Sequence, residues 1–286
     1  MNMNYENRDI VAGIVTYNPD LHRLEANIKS IYPQVAKVCV IDNGSDDISE
    51  IEVICIENSI EIIKNEKNEG IGFALNQMME FAVNNNALWC VTLDQDSISP
   101  DNLIDEARKY INFVNIGAIT PTFIESKTGE KPSLGTPFNN DEYQYINKCI
   151  TSATITNVSI WNTIGGFDER FFIDYVDYDY AARLICNGYK ILRMNNVYLD
   201  HELGDSEYRL FLFKKIRVGN HSSFRKYYIC RNIIVFIRKN YKHISKAKEF
   251  LRLIKVFVLV VLYETDKREK LKACFKGIRD GMRFVL

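Results

Sequence analysis

The first half of the chain alternates short β-branched apolar runs with segments of helical spacing. Ile10–Val15, Lys37–Ile41 and Leu88–Leu93 read as strands. Leu21–Ile31 repeats its apolar positions at helical spacing. Gly70–Val83 does the same, with Phe73, Met78, Phe81 and Ala82 predicted to face inward. Ile51–Ile56 and Ile60–Ile63 read as further extended pieces. Such alternation predicts an α/β fold with a mostly parallel central sheet flanked by helices. Farther along, Asn157–Ile164 reads as a strand turning into a short helix. Gly165-Gly166-Phe167-Asp168 reads as a turn, Asp179–Asn187 as a helix closed by Gly188, and Asn196–Asp200 as a strand. Residues 126–140, rich in Gly, Pro, Ser and Asn, read as a mobile loop.

In open sheets of this kind, ligands bind beyond the carboxyl ends of the strands. Three polar clusters fall there: Thr16-Tyr17-Asn18, Asp42-Asn43-Gly44-Ser45 and Asp94-Gln95-Asp96. Their convergence weighs more than any one of them.

Charge divides the chain. Residues 1–205 hold 15 Lys and Arg against 31 Asp and Glu, a net −16. Residues 206–286 hold 21 against 6, a net +15. This splits the chain into an acidic body, 1–205, and a basic, mainly helical region, 206–286. A basic region on an acidic body implies an anionic partner. No nucleic-acid fold signature is present, so an anionic membrane or a phosphate-bearing acceptor is favoured over nucleic acid. The seven cysteines are widely spaced, without a CxxC pair, and most lie in apolar runs. They read as buried, reduced thiols of a cytoplasmic protein. MNMNYENRDI has no apolar signal character. The longest apolar run, Val256–Tyr263, falls far short of the ~20 residues that span a bilayer.

Four segments carry candidate chemistry. In LDQDS, residues 93–97, two carboxylates one residue apart follow a buried strand. They suit a hard cation bridging protein to phosphates, as Mg²⁺ or Mn²⁺ does; a solvated acidic turn is the plainer alternative. NEGIGFALN, residues 68–76, opens a helix through glycines that allow close backbone approach, and a helix N-terminus favours anions. It is neither a P-loop nor GxGxxG, and a permissive helix start explains it equally well. In GGFDERFFIDYVDYDYAARL, Asp174, Asp177 and Asp179 lie among aromatics, whose burial raises a carboxylate's pKa and makes it a better base. Capping of a helix is the alternative, for Asp179 above all. His201 follows the strand Asn196–Asp200, where a metal site would need a further ligand.

Together, IVTYNPD (14–20), VIDNGSDD (40–47), NEGIGFALN, LDQDS, the 165–184 segment and His201 resemble the inverting family 2 glycosyltransferases, rhamnosyltransferase-like branch. The resemblance covers residues 9–232 and implies the GT-A fold, with 1–205 as the catalytic domain and 206–286 on the acceptor or membrane side. By it, Thr16, Asn18, Asp42, Asn43, Asn68, Gly70, Gly72, Asp94 and Gln95 would bind the nucleotide sugar. Asp96 and Asp94, with His201, would hold a divalent metal. Asp177 matches the catalytic aspartate, although Val176 stands where many relatives have Glu; Asp174 is the alternative base. Ser152, Gly166, Arg225, Tyr228 and Arg231 are expected on the acceptor side. The last three lie in HSSFRKYYICRN, similar to the YYxxRN segment of related rhamnosyltransferases.

In the basic region, Phe250, Ile254, Phe257, Val258, Val261 and Leu262 fall near helical spacing, flanked by Lys246, Lys248, Arg252 and Lys255. This suits an interfacial helix at the inner face of the cell membrane, or equally a core-packing or homodimer helix. The expected activity is transfer of a sugar, L-rhamnose from dTDP-rhamnose by the resemblance, to a saccharide or lipid-linked glycan acceptor in surface polysaccharide synthesis. The rivals are another donor (glucosyl, galactosyl or N-acetylglucosaminyl), or a non-catalytic nucleotide-sugar or membrane-binding protein. A nucleotidyltransferase would want a basic Gly-rich loop, and Gly13–Asp20 has no Lys or Arg.

Overall fold

The computed structural model describes residues 9–125, 129, 131, 134–201, 207–211, 214–239 and 241–286. In chain order the elements are β1 (Ile10–Thr16), α1 (Leu21–Ile31), β2 (Lys37–Asp42), α2 (Ile48–Glu57), β3 (Glu61–Lys64), α3 (Ile71–Asn84) and β4 (Trp89–Asp94). Then come α4 (Leu103–Ala107), β5 (Ile116–Glu125), β6 (Tyr143–Ile146), β7 (Thr154–Asn157), α5 (Val158–Thr163), α6 (Val176–Cys186) and β8 (Lys190–His201). The chain closes with β9 (Glu207–Phe211), β10 (Lys214–Val218), α7 (Ser223–Lys239), α8 (Lys246–Tyr263) and α9 (Lys267–Arg283). Eight strands form one sheet in the order β3-β2-β1-β4-β7-β5-β8-β6. The first four are mutually parallel and β5 is parallel to β8, whereas β7 and β6 run antiparallel to their neighbours.

Alternation along the parallel strands divides the core in two. Ile10, Ala12 and Ile14 pack with α1, α2 and α4 on one face; Val11 and Val15 pack with α3, α6 and α7 on the other. Gly13 lies on this second face, where an added Cβ would stand 2.4 Å from Met78 Cγ. The missing side chain lets α3 settle closely on β1.

One expectation is corrected. Ile51–Ile56 lies within α2, not in an extended piece: Ile51 and Cys55, four apart, are buried, while Val53 and Ile56 are 52% and 75% exposed. Its β-branched residues mimic a strand, and packing of one helical stripe overrides that preference. The basic region opens with the antiparallel pair β9 and β10 and continues in α7, α8 and α9. Of the inward positions assigned to α3, Met78, Phe81 and Ala82 are buried and Phe73 only partly. Six cysteines are buried, and Cys186 is exposed. Within 126–140, residues 126–128, 130 and 132–133 lie outside the described residues.

Candidate active site

The parallel strands deliver their polar ends side by side: Thr16 pairs in register with Asp42, and Val15 with Asp94. Asp42 is buried and organises its turn. Its carboxylate accepts from Thr16 Oγ1 (3.0 Å), Ser45 Oγ (2.6 Å) and the amides of Gly44 (3.1 Å) and Ser45 (2.9 Å). Asn18 closes the neighbouring turn by exchanging hydrogen bonds with Asp46. Asn43 Oδ1 accepts the Glu69 amide, and its Nδ2 donates to Asn68 Oδ1 and Gly70 O. These bonds fix the backbone entering α3.

Gly70 has φ +92, and a Cβ there would meet the Phe172 backbone at 2.7 Å. The Ile71 amide donates to Phe172 O at 2.6 Å. The start of α3 is thereby tied to the segment leading into α6. That segment is strained: Phe172, Asp174 and Tyr175 have φ of 64, 60 and 70, a region that costs side-chain-bearing residues of order 1–3 kcal/mol each. It persists because α7 holds its carbonyls. The amide of buried Asn232 lies 2.9, 2.7 and 2.9 Å from the oxygens of Phe171, Ile173 and Asp174. Arg231 donates to Arg170 O and Phe171 O, and Arg225 makes a two-pronged pair with Asp174 at 3.0 Å. Tyr228 stacks on Phe172.

Helices α8 and α9 brace this clamp. Glu249 accepts from Tyr175 Oη (2.6 Å) and Lys148 (2.9 Å). On α9, Gly277 and Gly281 let the helix press onto α7; Cβ atoms there would stand 2.3 Å from Tyr227 O and 2.7 Å from Arg231 O. Asp179 is an ionic tie more than a cap: fully buried, it accepts from Lys239, Arg183 and Tyr241.

Two cavities open over this framework. The smaller, about 340 Å³, is lined by Tyr17, Asn43, Asn68, Gly70, Gln95 and the ring of Phe224, among others. The larger, about 640 Å³, lies between α6, α7 and α8 and includes Asp174, Asp177, His221, Arg225, Arg252 and Lys255. They meet at Asp94, which lines both. In the larger cavity, burial pushes the Asp177 carboxyl up to about 7, with the charges of Asp174 and Asp94 adding to the effect. His221 is pushed down to about 4 by burial and by neighbouring Arg225 and Lys226, so it is neutral near pH 7.

Of the residues singled out by sequence, Asn43, Asn68, Gly70, Asp94 and Gln95 line the smaller cavity. Asp174, Asp177 and Arg225 line the larger, again with Asp94. Thr16, Asp42 and Asn18 lie behind, shaping turns. Gly72 packs beneath Glu169, and Tyr228 and Arg231 brace the strained segment rather than face the larger cavity. Ser152 is buried against Ser97, and Gly166 sits in a turn whose carbonyl accepts from Arg183. Asp96 is half-buried, its carbonyl held by Arg23. His201 ends β8, but its side chain lies outside the described residues. Among the described residues no three His, Cys, Asp or Glu side chains cluster as a metal cage. Sequence reasoning passed over Asn232, Tyr175 and Glu249. The RN pair after the aromatics was visible for Asn232, whereas nothing local marks Glu249 as a partner of Tyr175.

A sheet of this order with paired carboxylates at its switch point is the architecture of nucleotide-sugar transferases. The profile of glycosyl transferase family 2 matches residues 12–164, more than half of the chain, and the chain belongs to that family of glycosyltransferases. It is 26% identical over 305 positions to the dTDP-rhamnosyl transferase RfbF of Shigella flexneri, covering 98% of this chain and 97% of that protein. Its fold matches mannosyltransferase PcManGT of Pyrobaculum calidifontis, solved with GDP-Man and Mn²⁺, at TM-score 0.59 and 12% identity, covering 97% of this chain and 76% of that one. TarS residues 1–349 of S. aureus match at TM-score 0.59 and 15% identity, covering 96% and 80%. The fold is GT-A.

Proposed function

We propose that this enzyme transfers L-rhamnose from dTDP-rhamnose, with inversion, to a hydroxyl of a saccharide or lipid-linked glycan acceptor. The observation that carries the reading is the meeting of the two cavities at Asp94, with a carboxyl poised near pH 7 on the far side. The smaller cavity takes the nucleoside diphosphate and the larger takes the acceptor. The Asp177 carboxylate accepts the proton of the acceptor hydroxyl. The acceptor oxygen bonds to the anomeric carbon from the face opposite the diphosphate. The bond from that carbon to the diphosphate oxygen breaks, and the leaving group keeps its electron pair. Asp94 and Asp96, two half-buried carboxylates at a strand end, would hold a divalent cation, whose oxygen preference they suit. When bound, such a cation would neutralise charge on the diphosphate. The donor assignment is supported by the full-length similarity to a dTDP-rhamnosyl transferase.

The test is a panel of nucleotide sugars with Mn²⁺ or Mg²⁺, read by thermal shift and by release of nucleoside diphosphate. The expected result is preferential stabilisation and turnover with dTDP-L-rhamnose, because a specific ligand stabilises the fold by mass action. A different sugar nucleotide outperforming it would replace the donor assignment.

A further inference from the structure

Three residues line both cavities: Ile71, Asp94 and Ile173. If the cavities serve donor and acceptor as proposed above, the transferred sugar sits across their junction. Its anomeric carbon is bonded to the diphosphate on one side and meets the acceptor oxygen on the other. Apart from Asp94, the junction is walled by two isoleucines. Ile71 opens α3, and Ile173 lies in the strained segment before α6. Both are half-buried, so each keeps surface for a ligand. The bond from the Ile71 amide to Phe172 O holds the two at fixed separation. Phe172 and Phe224 extend the apolar wall into the donor cavity, and Leu75 extends it into the acceptor cavity. The neutral polar side chains of the donor cavity, Tyr17, Asn43, Asn68 and Gln95, do not line the acceptor cavity.

We infer that Ile71 and Ile173 form an apolar seat that selects 6-deoxyhexosyl donors over hexosyl donors. A methyl group on C5 of the sugar gains by leaving water against these side chains. A hydroxymethyl group would press its O–H against two side chains that offer it no hydrogen bond, at a cost. An apolar pocket discriminates against one added hydroxyl by about 10²-fold. The inference deepens the donor assignment: it names the side chains that read the sugar, and it rests on that reading of the two cavities.

The experiment compares kcat/KM for dTDP-L-rhamnose and for dTDP-L-mannose, which differs only by the C6 hydroxyl. Wild type, Ile71→Thr and Ile173→Thr are measured, with melting temperature and dTDP binding alongside to show that each variant is folded with its nucleoside cavity intact. We expect wild type to favour the 6-deoxy donor by about 10–10²-fold. Each threonine variant supplies a hydroxyl partner and should narrow that ratio severalfold, chiefly by improving the hexosyl donor. Equal use of the two donors by wild type overturns the inference, as does a ratio that neither variant moves. Absence of turnover with every sugar nucleotide in wild type would bring down the functional reading itself, and the seat with it.

Discussion

Near pH 7 the Asp177 carboxyl is divided between its two protonation states, whereas an ordinary aspartate at 3.8 is fully ionised. Two consequences follow with defined signs. The base works only when ionised, so kcat/KM should rise with pH through about 7, and a pH–rate profile flat from 5 to 8 would contradict the assignment. For stability, the folded state holds a proton that the unfolded chain has released across the window from about 4 to about 7. Folding stability attributable to this group therefore falls as pH rises through that window. Asp177→Asn removes the penalty. The variant should melt higher than wild type at pH 8 yet turn over ~10²–10⁴-fold more slowly, with donor affinity kept. Asp174→Asn is the control: Asp174 is paired with Arg225, so its loss should loosen the segment rather than remove a base. If Asp174→Asn is crippled while Asp177→Asn stays active, the base is Asp174. Asp96→Ala should abolish metal-dependent donor binding while circular dichroism stays unchanged, and full activity in EDTA would exclude the cation from that site.

Among the elements, α7 and α9 illustrate what a sequence discloses and what it withholds. The aromatic-rich HSSFRKYYICRN segment announces itself by composition, and its Arg225 reaches the larger cavity. The glycines of α9 give no such notice, because a glycine in a helix reads as a weak helix former until its neighbour is known. Their purpose is close approach to α7, and a long-range contact has no local signature. Gly277→Leu should force the helices apart, costing about 1–3 kcal/mol in a urea unfolding series. It should also lower kcat, since α7 carries Asn232 and Arg225. Unaltered kcat alongside lost stability would mean that the brace does not reach the base. The misreading of α2 has the same origin, since period-two and helical readings of a short β-branched run differ only in which face finds a neighbour. The strand ends β1, β2 and β4 were legible because buried parallel strands are continuous apolar runs followed at once by polar turns.

Across the whole molecule, the acidic and basic parts meet at the larger cavity, whose wall α8 supplies through Arg252, Lys255, Val256 and Leu259. On its outer side Phe250, Leu251 and Ile254 are 54%, 63% and 44% exposed, with Lys246 and Lys248 in the same helix. Among the described residues no helix is long and apolar enough to cross a membrane. We expect this outer face to lie on an anionic bilayer. Phe250→Ser with Leu251→Ser should cut sedimentation with phosphatidylglycerol vesicles severalfold while dTDP binding stays constant; unchanged sedimentation would favour a dimer interface. The strained segment before α6 has a chemical consequence as well. Asn232 and Arg231 hold its carbonyls and Glu249 holds Tyr175, so we expect Asp177, two residues on in the first turn of α6, to have little room to follow a substrate. A sugar acceptor offers several hydroxyls of nearly equal reactivity, and a stationary base reaches one of them. We expect the choice of hydroxyl to depend on the amide of Asn232, which is buried and lines neither cavity. Asn232→Ala should yield a mixture of linkages, visible as additional anomeric signals in the proton NMR spectrum of the product.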